Sequence, residues 1–411
     1  MSRWRAGAAS TPFEIPVGTP LAGYMARVGG STGTLDPLRI GALTLSAGEQ
    51  TLVIISADIL GVDREIVREI EQRAGVERGW LAVCASHTHS GPAGISKQVR
   101  SEPDSAIDTE LRQRFVETCA EVAAQAREHA VEAVLTFGMA KAEGISANRN
   151  AETGPFDPSV HVLCARDSDG RPIATLVHFA CHPTILPASS NLVSAEFPCA
   201  IRRALDPARF GVVLYANGAA GDVSTRFTRR SQNAAEVERV GREIAAAVER
   251  AEASEMEQPA VLGLVEIEAE LQPRDPEEIR AIIADARSKL AGLDLSALEP
   301  GERRIAETRA QGVAILERVA ATLSDRPMPI TIPCWTIGEL TLFGIPGELF
   351  ASLGELCTHG DDHRLILGYT NGYLGYFADR AAYDDGLYEA LASPFAPGAS
   401  EAMVARLLGD Q

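Results

Sequence analysis

WLAVCASHTHSGPAG, residues Trp80–Gly94, decides how the chain is read. Its first seven residues, Trp80–Ser86, form an apolar run with the length and composition of a buried strand, and a Gly/Pro-rich loop ends it. In extended backbone, residues two apart project to the same face, so His87 and His89 are expected to address one point while Thr88 faces elsewhere. Neutral imidazoles are the commonest metal ligands. A single histidine at a strand end reads as a hydrogen-bonded structural residue; two on one face ahead of glycines favour function.

Outward from this stretch, similar runs recur at Ile40–Ser46, Thr51–Asp58, Val134–Gly138, Val160–Ala165, Pro172–Ala180 and Gly211–Asn217, and again at Ile330–Ile337, Leu340–Ile345 and Arg364–Tyr369. Between them, Asp63–Ala74, Thr109–Ala133 and Ala235–Ala253 carry apolar residues at three- and four-residue spacing, as amphipathic helices do. The alternation predicts an α/β fold of layered mixed β-sheets flanked by helices. Pro273–Asp325 differs. Pro-Arg-Asp-Pro-Glu-Glu opens a charged helix to about Ala291, and a second helix runs from about Gly301. This reads as a helical-hairpin insertion, residues 273–325, inside a single catalytic domain spanning 1–411. Two roles stand open for it, a cap over a site or a solvated excursion.

Bulk properties narrow the partners. With 411 residues, 45% hydrophobic and 23% charged, the chain has ordinary globular composition. A formal charge of −18 repels phosphate backbones and anionic lipid, which excludes nucleic-acid binding by counterion release. Met1–Ser10 lacks the apolar core of a secretory signal, and no window approaches the roughly 18 apolar residues a membrane helix needs, so no stable membrane insertion and a cytoplasmic location are expected. Seven cysteines scattered singly fit buried free thiols in a reducing compartment. Self-association into a homo-oligomer is left open.

Three more loops follow strands. His178-Phe-Ala-Cys-His182-Pro183 again ends a strand on a histidine, with Pro183 as terminator. His178 and His182 would share a strand face roughly 13 Å apart, so His182 is the ligand candidate and His178 is left to the core. Asn217–Ser224 combines permissive glycines with Asp222 and Ser224, a composition that also describes any turn. Gly344–Phe350 leads into a helix, which would place Glu348 near a helix N-terminus, where the dipole favours its ionised form.

Together these loops resemble, in order, the catalytic domain of the neutral (alkaline, non-lysosomal) ceramidases, zinc amidases that hydrolyse the N-acyl bond of ceramide. The residues that carry the resemblance are PLAGYMAR at Pro20–Arg27, HTHSGPAG at His87–Gly94, NRN at Asn148–Asn150, CHPT at Cys181–Thr184, GDVS at Gly221–Ser224, PGE at Pro346–Glu348 and NGYLGY at Asn371–Tyr376, followed by Tyr383 and Tyr388-Glu389. HTHSGP is the most specific of them. The resemblance reads the chain as a short, bacterial-type member lacking the family's C-terminal immunoglobulin-like domain.

Carried over by position, it implies that His87, His182, Glu348 and Tyr376 bind Zn2+, with an open position for water or substrate. It places His89 behind them as a proton-transfer residue, Arg149 and Tyr388 near the reacting group as oxyanion donors, and Ser224 as an orienting residue or nucleophile. The implied activity is zinc-dependent hydrolysis of an amide, N-acyl or lactam, in a small or medium-sized molecule. Ceramide itself, an ester or lactone, and a zinc-containing binding protein without turnover are the alternatives. One departure bears on substrate: the family continues GDVS with Pro-Asn, whereas this chain has Thr225-Arg226.

Overall fold

The computed structural model describes residues 3–97, 106–257, 259–291, 293–294, 299–322 and 326–409. Its largest sheet has nine strands. Eight lie in the order Val212–Asn217, Pro172–Phe179, Ser159–Asp167, Val131–Lys141, Trp4–Pro12, Arg39–Ala47, Gln50–Ala57 and Leu81–Ala85, with Glu252–Glu255 added alongside Val131–Lys141. Pairing is antiparallel through the middle and parallel at each edge, where Val212–Asn217 runs beside Pro172–Phe179 and Gln50–Ala57 beside Leu81–Ala85. Continuous apolar runs suit such strands, because a parallel strand covered on both faces has no solvent side to pattern.

The sheet curls until its edges meet. Ser56 Oγ donates to the Tyr215 carbonyl at 2.6 Å, and Asn217 Nδ2 donates to the Ser86 carbonyl at 3.2 Å. Curling sets the chain that leaves Ala85 beside the chain that leaves Asn217. A second, four-stranded sheet of Leu262–Leu271, Met328–Ile337, Leu340–Gly344 and Arg364–Leu367 packs on the first through a core that includes Trp4, Leu43, Leu176, Trp335 and Leu342. Helices cover the outer faces: Arg64–Ala74 and Thr109–Glu128 in one cluster, Phe197–Ala204 and Ala234–Arg250 in another, and Ala351–Thr358 and Ala399–Leu408 over the smaller sheet. The expected α/β layering of mixed sheets is what forms.

Local differences have identifiable causes. The helix expected over Thr109–Ala133 ends at Glu128, and Val131 already begins the strand that pairs with Trp4–Pro12 and Ser159–Asp167. Likewise the helix expected to reach Ala253 stops at Arg250, and Glu252–Glu255 joins the sheet. Sheet edges override helix propensity there.

The hairpin forms as helices Pro276–Ala291 and Pro300–Thr322; residues 292, 295–298 and 323–325 lie outside the described residues. Ile279 and Leu316 are fully buried and form a small cluster with Leu391. A Cβ at Gly312 would sit 3.2 Å from Leu391, so the second helix rides directly on the segment Tyr388–Ala392.

Candidate metal centre

Three histidines converge where the edges of the large sheet meet. His87, His89 and His182 offer ligand nitrogens that all lie within 4.8 Å of one another. The route to this differs from strand alternation. The strand ends at Ala85, and His87 has φ +67°, left-handed backbone that costs a non-glycine residue roughly 1–2 kcal/mol. Its amide donates to the Ile59 carbonyl, which fixes the turn, and its ring stacks on Tyr369 at 4.0 Å, itself a residue of positive φ. Non-glycine strain concentrated in this way marks a site held in place by its surroundings. His89 reaches the same point by its own path, with its amide on the Pro183 carbonyl and its ring against Gly23, where a Cβ would come within 2.5 Å.

Glu348 completes the cluster. It lies in a two-residue strand beside Tyr376, with its amide on the Gly375 carbonyl, and the following helix starts only at Ala351. The expected helix-start placement is thereby corrected: Asp222, not Glu348, meets that helix end, accepting the Ala351 amide through Oδ1 at 2.8 Å. Glu348 Oε2 is 2.9 Å from His182 Nε2 and 3.4 Å from His87 Nε2, and Oε1 accepts from the Tyr373 hydroxyl at 2.5 Å. All three charged or ligating side chains are buried to about 1% exposure or less, deep enough that electrostatics are weakly screened.

The donor chemistry tests whether an ion fits. His87 Nδ1 is 2.8 Å from the Leu60 carbonyl and His182 Nδ1 is 2.6 Å from the Ala220 carbonyl. Carbonyls only accept, so each Nδ1 carries a proton and each ring turns its Nε2 inward. Burial, then the nearby Arg149 guanidinium, pushes His182 down to about 4, and burial with its histidine neighbours holds His89 well below the usual range. Burial opposes ionisation of Glu348, but contacts from His87 and His182 hold its carboxyl well below the ordinary value. Two imidazole nitrogens and a carboxylate are thus gathered at one point out of water. A divalent cation is the group that such a donor set suits, and backbone carbonyls behind ligating imidazoles are the usual support for one. These residues can hold a metal ion.

A cavity of about 700 Å³ opens onto the centre. Arg149 and Tyr388 line it, as do Ser224 and Tyr376. Arg149 Nε is 2.7 Å from Glu389 Oε1, and Nη2 is 3.1 Å from the Tyr376 hydroxyl. Burial opposes its charge, yet Tyr376, Glu389 and Glu348 hold it protonated. Tyr388 packs edge-on to Tyr376 at 6.1 Å, and burial pushes its phenol up to about 12. Ser224 Oγ accepts the Arg226 amide at 3.1 Å, and Ser224 bridges to His182 along the backbone. Glu307, Gln311 and Ile315 of the hairpin also line the cavity.

His178 stays apart, with Nε2 on the Ile366 carbonyl and its ring against His161 in a separate cavity. Tyr373, whose hydroxyl reaches Glu348 Oε1, is the residue of the cluster that sequence reasoning passed over. It lies inside the NGYLGY motif, but nothing in its spacing distinguishes it from Tyr376.

No protein-family profile and no curated protein sequence matches the chain. Solved structures do. The neutral ceramidase from Pseudomonas aeruginosa superposes with a TM-score of 0.75 at 17% identity, over 100% of this chain and 74% of that one. A ceramidase complexed with C2 gives 0.74 at 16%, over 99% and 74%. The fold is the neutral ceramidase fold. The ceramidase resemblance noted at the loops thus extends to the architecture of the whole chain. At this identity, the likeness speaks for the ceramidase fold alone.

Proposed function

We propose that this chain is a zinc-dependent amidohydrolase that cleaves an N-acyl or lactam bond in a small or medium-sized molecule. One observation carries the reading: the Nε2 atoms of His87 and His182 face the Glu348 carboxylate, which lines a cavity that also presents the Arg149 guanidinium. Nitrogen and oxygen donors with an approach from one side suit catalytic zinc. Ceramidases of this fold act on an amide, which agrees in reaction class.

His87, His182 and Glu348 would hold the ion, with the Tyr376 phenol the fourth donor. The chemistry zinc supplies in such a site is polarisation of a scissile carbonyl and acidification of water to a pKa of around 7. Arg149, held by Glu389, would donate to the oxygen on which negative charge develops, and Tyr388, protonated at neutral pH, would add a second donor. His89, whose Nε2 lies 3.3 Å from that of His87, would be the proton-transfer residue. Ser224, held through Arg226, orients substrate.

Purified protein tests this directly. Zinc near one per chain with chelator-sensitive release of amine from a panel of N-acyl compounds is the expected result. Stoichiometric zinc with no turnover on amides, esters or lactones identifies a binding protein instead, and cleavage confined to esters or lactones makes it an esterase.

A further inference from the structure

We infer that a second cavity, separate from the one over the metal centre, binds an organic ammonium ion between His161 and Asp362. The inference goes beyond the amidohydrolase reading and does not depend on it. This cavity measures about 420 Å³ and shares no lining residue with the first. Its walls are nonetheless drawn from the same loops: Ala180 stands two residues before His182, and Ala219 precedes the residue whose carbonyl holds His182 Nδ1.

Two histidines on its wall fix the direction of their protons. His178 Nε2 lies 2.8 Å from the Ile366 carbonyl and so carries a proton. Burial lowers both His161 and His178 below the ordinary imidazole value, His178 to about 4, so each ring holds one proton at pH 7. His178 Nδ1 is then an acceptor, and His161 Nδ1, at 3.4 Å, is its donor. That leaves His161 Nε2 with a lone pair. The residue is 4% exposed, and this nitrogen makes no hydrogen bond among the described residues. A buried polar atom without a partner calls for an explanation. Nε2 is turned toward Asp362 on the rim, whose Oδ1 is 3.9 Å away and is itself an acceptor. What the gap lacks is a donor.

The charge around it asks for a cation. Asp157, Glu355, Asp361 and Asp362 line the cavity against Arg364, whose Nη1 donates to the Cys357 carbonyl at 3.4 Å and whose guanidinium lies over the Phe343 ring. A metal ion is disfavoured, because among the described residues the one trio of ligand atoms gathered within reach of an ion is that of His87, His89 and His182. A single nitrogen at about 2.9 Å from each of two acceptors fits the gap, and positive charge on it strengthens both bonds. Pro155, Phe156 and Leu365 supply apolar surface beyond, and Ala180, Ala219 and Gly354 leave room, so the body of the ligand is hydrocarbon.

The test titrates the full chain, loaded with zinc, with phenethylamine and with its neutral match 2-phenylethanol, and reads binding by calorimetry at low and high salt. The amine is expected to bind about tenfold or more tighter than the alcohol, with the margin shrinking in salt. Asp362 is exposed, so Asp362→Asn and Asp362→Lys proteins should melt as wild type does. The first is expected to weaken the amine by about tenfold, and the second, which puts a cation at the rim, to abolish binding. Crystals grown with the amine should show its nitrogen between His161 Nε2 and the Asp362 carboxylate. Equal binding of the alcohol overturns the inference, as does no binding of the amine at about 10 mM, which would leave the gap to water. Amine affinity that survives Asp362→Lys would place the ligand on the zinc ion of the first site, and a second zinc per chain that is lost in the same variant would make this a metal site; either overturns it.

Discussion

His182 Nε2 lies 2.9 Å from Glu348 Oε2, although 166 residues separate them and both side chains are buried. Each comes from the loop after a strand, one in the large sheet and one in the small, and the two sheets are locked end to end. The Gly368 amide donates to the Asn217 carbonyl, and the Ala85 amide donates to the Tyr369 carbonyl. An imidazole and a carboxylate are thereby held at that distance out of water.

Removing either partner tests this. His87→Ala and Glu348→Ala proteins are expected to lose zinc, from near one per chain to less than about a tenth, because one lost ligand weakens binding by orders of magnitude. Both should keep the wild-type far-UV circular dichroism, since His87 lies in a loop and Glu348 in a strand of only two residues, outside the two large sheets. Metal analysis after gel filtration gives the answer, and full occupancy in either variant removes that residue from the ligand set.

Tyr373→Phe deletes only the hydroxyl that reaches Glu348 Oε1. A partner that orients a ligating carboxylate typically accounts for 10–100-fold in affinity. Competition with a chromogenic chelator should show zinc binding weakened by about that factor, with the chain still folded. An unchanged affinity would assign the tyrosine to packing.

Arg149→Lys keeps a charge but loses the planar fork that spans Glu389 and Tyr376. On whichever amide proves to be turned over, kcat should fall by roughly 10²–10³ while KM moves little, the pattern for a donor used in the transition state. A change confined to KM would make the residue a ground-state contact.

His178 links stability to pH. Burial, then the neighbouring His161, lowers it from 6.5 to about 4. The folded chain thus holds the ring neutral while the unfolded chain protonates it. Stability from this group is complete above pH 6.5 and is lost as pH falls from there toward 4, by roughly 3 kcal/mol across the window. Urea unfolding of wild type should weaken between pH 7 and 4.5 more steeply than that of His178→Gln, which retains a donor for the Ile366 carbonyl. Parallel curves would contradict the assignment.

Much of this was legible from residues, and the limits have physical reasons. The apolar runs before His87, His182, Asp222 and Glu348 announce buried strands, and the loops that follow them carry the polar groups. Convergence of His87, His182 and Glu348 followed from the family resemblance and not from the residues themselves, because it depends on the curl that joins Ser56 to Tyr215 across the sheet. The left-handed backbone at His87 defied alternation, since nothing marks a histidine for positive φ as a glycine is marked. The strand Trp4–Pro12 passed unnoticed: Ala-Gly-Ala-Ala-Ser has little β propensity, and its place is set by nine register partners on Arg39–Ala47.

Gly221 shows how tightly the loops are fitted. A Cβ there would lie 2.5 Å from the Glu348 carbonyl and 2.9 Å from that of Leu349. Gly221→Ala has to push the Asp222–Ser224 loop off the Glu348 segment, at roughly 1–3 kcal/mol of stability. Thermal melting and zinc content should fall together; a normal melt with full zinc would mean the loops yield without disturbing the centre.

The most direct measurement is anomalous diffraction at the zinc edge from crystals of the full chain grown with zinc. One strong peak is predicted, about 2.0–2.2 Å from His87 Nε2, His182 Nε2 and a Glu348 carboxylate oxygen. A map with no peak among those three atoms, in protein shown to be folded, would contradict the metal centre on which the function rests.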